Sequence, residues 1–118
     1  MISSGNATVM VADMNRAVDF YTKTLGLKLR VRFGDEWAEV ETSGLIIGLH
    51  PMRPGAKPGT PGNVSLGFAV TELITTARAG LEAKGVKFFG PIIDNPPIKL
   101  TNFGDPDGSP LYLVEQRH

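Results

Sequence analysis

Ala7-Thr8-Val9-Met10-Val11, running through Ala12-Asp13 into Met14-Asn15-Arg16-Ala17-Val18-Asp19-Phe20-Tyr21-Thr22-Lys23-Thr24-Leu25-Gly26, is the stretch on which the fold turns. Its first five residues are rich in β-formers and predict a strand. Asp13 is a good helix N-cap. Met14, Ala17, Val18, Tyr21 and Leu25 then recur at helical spacing and form one apolar stripe. Gly26 stands where a glycine ends a helix in the left-handed conformation. The stretch therefore reads strand, helix, stop, with Phe20 and Tyr21 assigned to core.

Downstream, Leu27-Lys28-Leu29-Arg30-Val31-Arg32-Phe33 alternates strictly. Leu29, Val31 and Phe33 share one face of the predicted strand, and Arg30 and Arg32 share the other. Gly34-Asp35 turns the chain. Trp37-Ala38-Glu39-Val40-Glu41 alternates again, Ser43-Gly44 turns it once more, and Leu45-Ile46-Ile47-Gly48-Leu49-His50 is a third strand after the helix. The first half, residues 1–50, is thus βαβββ. Residues 51–62 hold four prolines and three glycines in twelve positions, so they predict a connector rather than regular structure.

The pattern restarts in residues 63–118. Val64 to Val70 predicts a strand. Leu73, Ala77, Leu81 and Lys84 lie along a helix that stops at Gly85, and Val86 to Phe89 predicts the next strand. Gly90 to Lys99, with Pro91, Pro96 and Pro97, reads as a loop able to cover one mouth of a cavity. Leu100 to Phe103 is strand-like, Asp105-Pro106-Asp107-Gly108 is a strong turn, and Leu111-Tyr112-Leu113-Val114 closes the domain. At turn positions the two aspartates are expected to bond their own backbone rather than to act as paired catalytic acids. The halves superpose with an offset of 59 residues, placing Asp13 on Glu72, Met14 on Leu73 and Gly26 on Gly85. The whole is expected to be one α+β domain of two pseudo-repeats.

A length of 118 residues fits one domain with a real core. Lys and Arg number 12, as do Asp and Glu, so the formal charge is zero. That balance lacks the basic footprint of a nucleic-acid binder and gives no attraction to an anionic membrane. Cysteine is absent, which excludes disulfides, thiolate catalysis and zinc-thiolate sites. Met1-Ile2-Ser3-Ser4-Gly5-Asn6 has neither the basic nor the apolar region of a secretory leader, so a cytoplasmic location is expected.

Val11-Ala12-Asp13-Met14, then Ala17-Val18-Asp19-Phe20-Tyr21 and Leu25-Gly26-Leu27, together with Asp105-Pro106-Asp107-Gly108 running into Leu111-Tyr112-Leu113-Val114-Glu115, resemble the vicinal oxygen chelate superfamily. Its members include glyoxalase I, extradiol dioxygenases, fosfomycin-resistance enzymes and bleomycin-resistance proteins. The resemblance implies two βαβββ modules forming a curved mixed sheet around a cavity, with helices on the convex side. It also implies that small members are usually homodimers.

Metal-dependent members hold a divalent ion on two positions per module, usually His on the first strand and Glu on the last. Carried onto this chain, those positions are Asn6 and Gly48 in the first half and Ser65 and Tyr112 in the second. Glycine offers no side-chain donor, serine and asparagine are weak neutral ones, and a phenol must lose a proton of pKa ~10. No metal and no other cofactor is therefore expected. His50 shares a strand face with Gly48 and could be a displaced ligand, with Glu39 or Glu41 beside it.

Strand parity predicts which side chains line the cavity. If Asn6 and Gly48 point inward, so do Thr8, Met10, Ile46 and His50, and with them Arg30, Arg32, Trp37, Glu39 and Glu41. In the second half the inward set is Ser65, Gly67, Ala69, Tyr112 and Val114. The ligand-binding candidates are Asn6, Thr8, Arg30, Arg32, Trp37, Glu39, Gly48, His50, Ser65 and Tyr112. The expectation is a metal-independent protein, in the manner of bleomycin-resistance proteins, that sequesters or senses a partly apolar or aromatic small molecule. The alternative is a glyoxalase-like lyase or isomerase, or a dioxygenase-related enzyme, with a displaced metal site and Glu39 or His50 as its base.

Overall fold

The computed structural model describes residues 1–52, 55, 57 and 64–116. The proline- and glycine-rich connector expected over 51–62 lies mostly outside them, as does His118. The chain divides into two compact units, residues 1–59 and 60–118. Each is a four-stranded mixed sheet with one helix, an α+β arrangement of two βαβββ modules.

In the first unit β1 (Ala7–Val11) leads to α1 (Met14–Asp19), followed by β2 (Lys28–Phe33), β3 (Trp37–Thr42) and β4 (Leu45–Pro51). The strand order is β1-β4-β3-β2. β1 runs parallel to β4, while the other pairs are antiparallel. Asp13 caps α1 as expected: its Oδ1 accepts the Arg16 backbone N–H at 3.0 Å. Met14, Ala17, Val18 and Tyr21 are buried against the sheet, where Val9, Val11, Ala38, Val40, Ile47 and Leu49 meet them. A one-residue slip would carry these strand residues to the other face, at about 2 kcal/mol for each large aliphatic exposed. That cost fixes the parity of β1, β3 and β4.

In the second unit β5 (Leu66–Ala69), α2 (Ile74–Ala83), β6 (Phe88–Asn95), β7 (Ile98–Gly104) and β8 (Pro110–Gln116) repeat the order as β5-β8-β7-β6. Leu66, Leu111, Leu113 and Phe103 are buried, as are Ile74 and Ala77 of α2. The Asp105 turn is built as expected. Its Oδ1 accepts the backbone N–H groups of Asp107 (2.9 Å) and Ser109 (2.8 Å).

Three expectations need correction. Residues 90–99 are not a loop, because β6 continues to Asn95 and turns through Pro96-Pro97 into β7. The ladder tolerates Pro91 because it lies in a bulge. Phe89 pairs with Asn102 and Ile93 with Leu100, so Gly90, Pro91 and Ile92 need supply no regular ladder bonds. Arg78 of α2 ties the bulge down by donating to the Gly90 carbonyl at 2.9 Å and to Thr101 Oγ1 at 2.9 Å, with its guanidinium 4.7 Å over the Phe88 ring.

Secondly, the offset of 59 fails at the helix starts. Leu73, not Glu72, is the N-cap of α2; it is 65 % exposed, and Ile74 takes the buried place that Met14 holds in α1. The slip has a local cause. α1 continues into a π-helical turn over Phe20–Thr24, where the Leu25 N–H reaches five residues back to the Phe20 carbonyl at 2.9 Å. Such a turn inserts one residue without moving the ends of the helix. α2 has none and closes on a Schellman motif, with Val86 N–H on the Leu81 carbonyl and Gly85 N–H on that of Glu82, both 3.0 Å.

Thirdly, strict alternation does not hold through β2. Leu29 pairs with Val40 and Val31 with Glu39, leaving Arg30 as the extra residue of a bulge. Beyond it every side chain changes face, with consequences for the candidate site.

Leu73 cannot cap a helix with its side chain, and the task passes to β8, where Glu115 Oε1 accepts the Ile74 N–H at 2.6 Å. Glu115→Ala is expected to lower the unfolding free energy by about 1–2 kcal/mol. Urea denaturation followed by circular dichroism measures it, and an unchanged midpoint would contradict the assignment of this cap.

Candidate functional site

Gly48 is the centre of the face of the first sheet that α1 does not cover. It is buried although it has no side chain, because the indole of Trp37 lies on its backbone. A Cβ placed on Gly48 would overlap the six-membered ring of Trp37, with Cζ2 at 2.7 Å and Asn6 Nδ2 at 3.0 Å. Trp37 reaches this position from β3, whose Glu39 pairs with Gly48 in register. The indole is held at its nitrogen: Nε1–H donates to Glu39 Oε2 at 2.9 Å. Glu39 Oε1 in turn accepts from Arg30 Nε at 3.0 Å, and Arg30 Nη1 lies 3.5 Å from Glu41 Oε2. The bulge brings Arg30 alongside both carboxylates.

His50, two residues beyond Gly48, faces the same side. Its ring packs edge-to-face on Trp37, with centroids 6.2 Å apart and planes at 70°. Its Nδ1 lies 2.6 Å from the Pro51 carbonyl oxygen. Thr8 pairs with Gly48 and Met10 with His50 across the parallel β1–β4 ladder, which puts Thr8 beside the glycine. Asn6, Thr8, Arg30, Trp37, Glu39, Gly48 and His50 thus share one face of one sheet.

Arg32 does not join them. Past the bulge it turns to the helix side, where Nη2 donates to Asn15 Oδ1 of α1 at 2.6 Å and to Asp35 Oδ1 at 3.1 Å, and Nε donates to the Gly34 carbonyl at 2.8 Å. It ties the β2–β3 turn to α1. In exchange, Val31 and Phe33 come round to the face of Trp37, and Phe33 is 64 % exposed there. The sequence holds a signal for this exchange. Phe33 and Trp37 flank the short turn Gly34-Asp35-Glu36 and must share a face as the closing pair of a hairpin. Strict alternation placed them on opposite faces, and only an extra residue in β2 removes that conflict.

The second unit carries its own aromatic-on-glycine contact. The Tyr112 ring lies over Gly67 of β5, its register partner, where a Cβ would overlap the ring. Asn102 of β7 pairs with Tyr112 on the other side, and Phe89 of β6 pairs with Asn102; Phe89 is 59 % exposed. Ser65 precedes β5 and is exposed.

The topology agrees with a family match. A family model described as the Glyoxalase/Bleomycin resistance protein/Dioxygenase superfamily matches residues 4–113. The chain belongs to this superfamily. Among solved structures it is similar to a superfamily member from Sphaerobacter thermophilus, at 28 % identity, TM-score 0.79 and 98 % coverage of both chains. It is also similar to an integron cassette protein from V. cholerae, at 26 % identity and TM-score 0.71, covering 98 % of this chain and 97 % of that one. A lactoylglutathione lyase from Agrobacterium tumefaciens shares the fold at TM-score 0.75 and 14 % identity, with 98 % of this chain and 94 % of that one covered. No curated protein sequence matches.

The superfamily's metal-dependent members set a test for the donor positions, and these residues do not fit a cation. At Gly48 there is no donor, and the space a donor would fill holds an indole. Tyr112 folds its ring onto Gly67, Ser65 is an exposed hydroxyl, and Asn6 is a neutral amide. Among the described residues, no group of three or more His, Cys, Asp or Glu is placed to share a metal ion. Among the same residues no helix is long and apolar enough to cross a membrane.

Trp37 is the only tryptophan, so tryptophan emission reports this face alone. Gly48→Ala is expected to drive the indole off β4, cost about 1–3 kcal/mol and shift the emission to the red. Emission spectra with urea denaturation test this, and an unshifted spectrum at unchanged stability would show that the ring does not rest on Gly48.

Proposed function

We propose that the protein binds a partly apolar or aromatic small molecule without a metal, sequestering or sensing it in the manner of bleomycin-resistance proteins. The observation that carries this reading is the indole on Gly48. It covers with a broad aromatic surface the glycine that the resemblance matches to a donor position of metal-dependent members. Trp37 presents the apolar area that small-molecule sites use, and Val31 and Phe33 extend it on the same face. A few polar groups, Asn6, Thr8 and His50, stand at its edge.

The enzymatic alternative requires a base with a free lone pair. The Glu39 oxygens are already engaged by Trp37 and Arg30, so in that alternative His50 Nε2 is the base with the freer lone pair. The proposal includes a cytoplasmic setting, in keeping with a chain that has no cysteine, and a homodimer. Light scattering that gives the mass of one chain at working concentration would remove the dimer.

The test of function uses 1-naphthol as a probe and Trp37 emission as the readout, on protein treated with EDTA and dialysed. Saturable quenching, unchanged when zinc, nickel or manganese is returned, is the expected result. Quenching that appears only with one equivalent of metal per chain would overturn the reading, as would a lyase activity restored by that metal.

A further inference from the structure

We propose that His50 Nε2 is the hydrogen-bond acceptor that selects the ligand, and that the ligand is a flat aromatic molecule carrying a hydroxyl or ring N–H. The inference rests on the proposed binding role of this face and specifies its chemistry. It starts from the Nδ1 contact with the Pro51 carbonyl oxygen at 2.6 Å. A carbonyl oxygen only accepts, so Nδ1 carries the proton. In the neutral ring Nε2 is then left with its lone pair and can only accept. Among the described residues no donor reaches it.

The ring is also fixed in place. The Pro51 contact holds one edge, and the Trp37 indole packs against it edge-to-face with centroids 6.2 Å apart. An aromatic molecule lying on the indole therefore has the imidazole ring beside it.

The surroundings favour a neutral donor over a charged group. The Glu39 carboxylate is taken up by Trp37 and Arg30, and Arg30 is shared between Glu39 and Glu41. Around His50 on this face stand Met10, its register partner, with Ile46 and Gly48 on its own strand. None of these offers a counter-charge. A neutral hydroxyl or N–H gains a hydrogen bond at Nε2 without needing one, and a molecule without a donor leaves the lone pair unused.

The experiment compares 1-naphthol with 1-methoxynaphthalene, which keeps the ring system and lacks the donor. Isothermal titration calorimetry at pH ~8 is run on the wild type, His50→Phe and His50→Gln. The wild type is expected to bind 1-naphthol roughly threefold to tenfold more tightly than the methyl ether. H50F keeps an aromatic edge against Trp37, so it should lower naphthol affinity to that of the ether and leave the ether unchanged. H50Q, whose Oε1 can still accept, should retain the preference.

Equal wild-type affinities for the two probes would overturn the inference while leaving the binding role intact. A preference that persists in H50F would do the same, as would loss of both probes by folded H50F, which would make His50 a wall rather than an acceptor. Failure of both probes to bind the wild type would instead overturn the proposed function itself. Far-UV circular dichroism checks folding; if H50F does not fold, the wild-type ratio and H50Q decide.

Discussion

An aromatic ring resting on bare backbone organises the open face of the first unit. Trp37 and Gly48 sit on neighbouring strands of a sheet whose other face is closed by α1. The indole can lie flat only because residue 48 has no Cβ, and its nitrogen can turn to Glu39 because that carboxylate lies two residues along the same strand. Glu39 then engages Arg30, which the bulge in β2 brings within 3.0 Å. One glycine therefore sets the position of the tryptophan, and the tryptophan sets what the nearby charges can do. The charged groups of this face are spent on one another, which leaves an apolar platform with neutral polar groups at its rim.

The second unit reaches a similar end by a different route. Its aromatic ring comes from β8, the strand equivalent to β4, and lies on Gly67 of β5, the strand equivalent to β1. Both units thus put an aromatic ring on a glycine beside a parallel strand pair. At the positions that the resemblance matches to the ligands of metal-dependent members stand Asn6 and Gly48 in one unit and Ser65 and Tyr112 in the other. Both faces present a π-surface, and neither Gly48 nor Gly67 offers a side-chain donor to a cation.

Much of this was legible in the sequence because it follows from local chemistry. The Asp13 cap, the left-handed stops at Gly26 and Gly85 and the Asx turn at Asp105 depend on one or two residues each. The facing of β1, β3 and β4 follows from apolar residues at every second position, which burial enforces. What escaped the sequence was each case where one residue is absorbed between regular elements. A π turn in α1 shifts the repeat by one, a bulge at Arg30 sends Arg32 to α1 and Phe33 to the open face, and a wider bulge carries β6 past Pro91. Such insertions are settled by strand pairing or by a backbone bond one residue longer, and of the three only the β2 bulge leaves a local trace, in the hairpin pair Phe33 and Trp37. In the candidate site, the residues on β1, β3 and β4 stand on the face that parity predicted, and Arg32 on β2 does not.

The open face of the first unit depends most on the indole of Trp37 lying against the backbone of Gly48. Two-dimensional NOESY on the folded protein tests it directly, through cross-peaks between the Hζ2 and Hη2 protons of Trp37 and the Hα protons of Gly48. Strong cross-peaks, with upfield-shifted Gly48 Hα resonances from the ring current, are the predicted result. Their absence, with Gly48 Hα at ordinary shifts, would mean that the space over β4 is open and that the case for a metal-free aromatic platform fails.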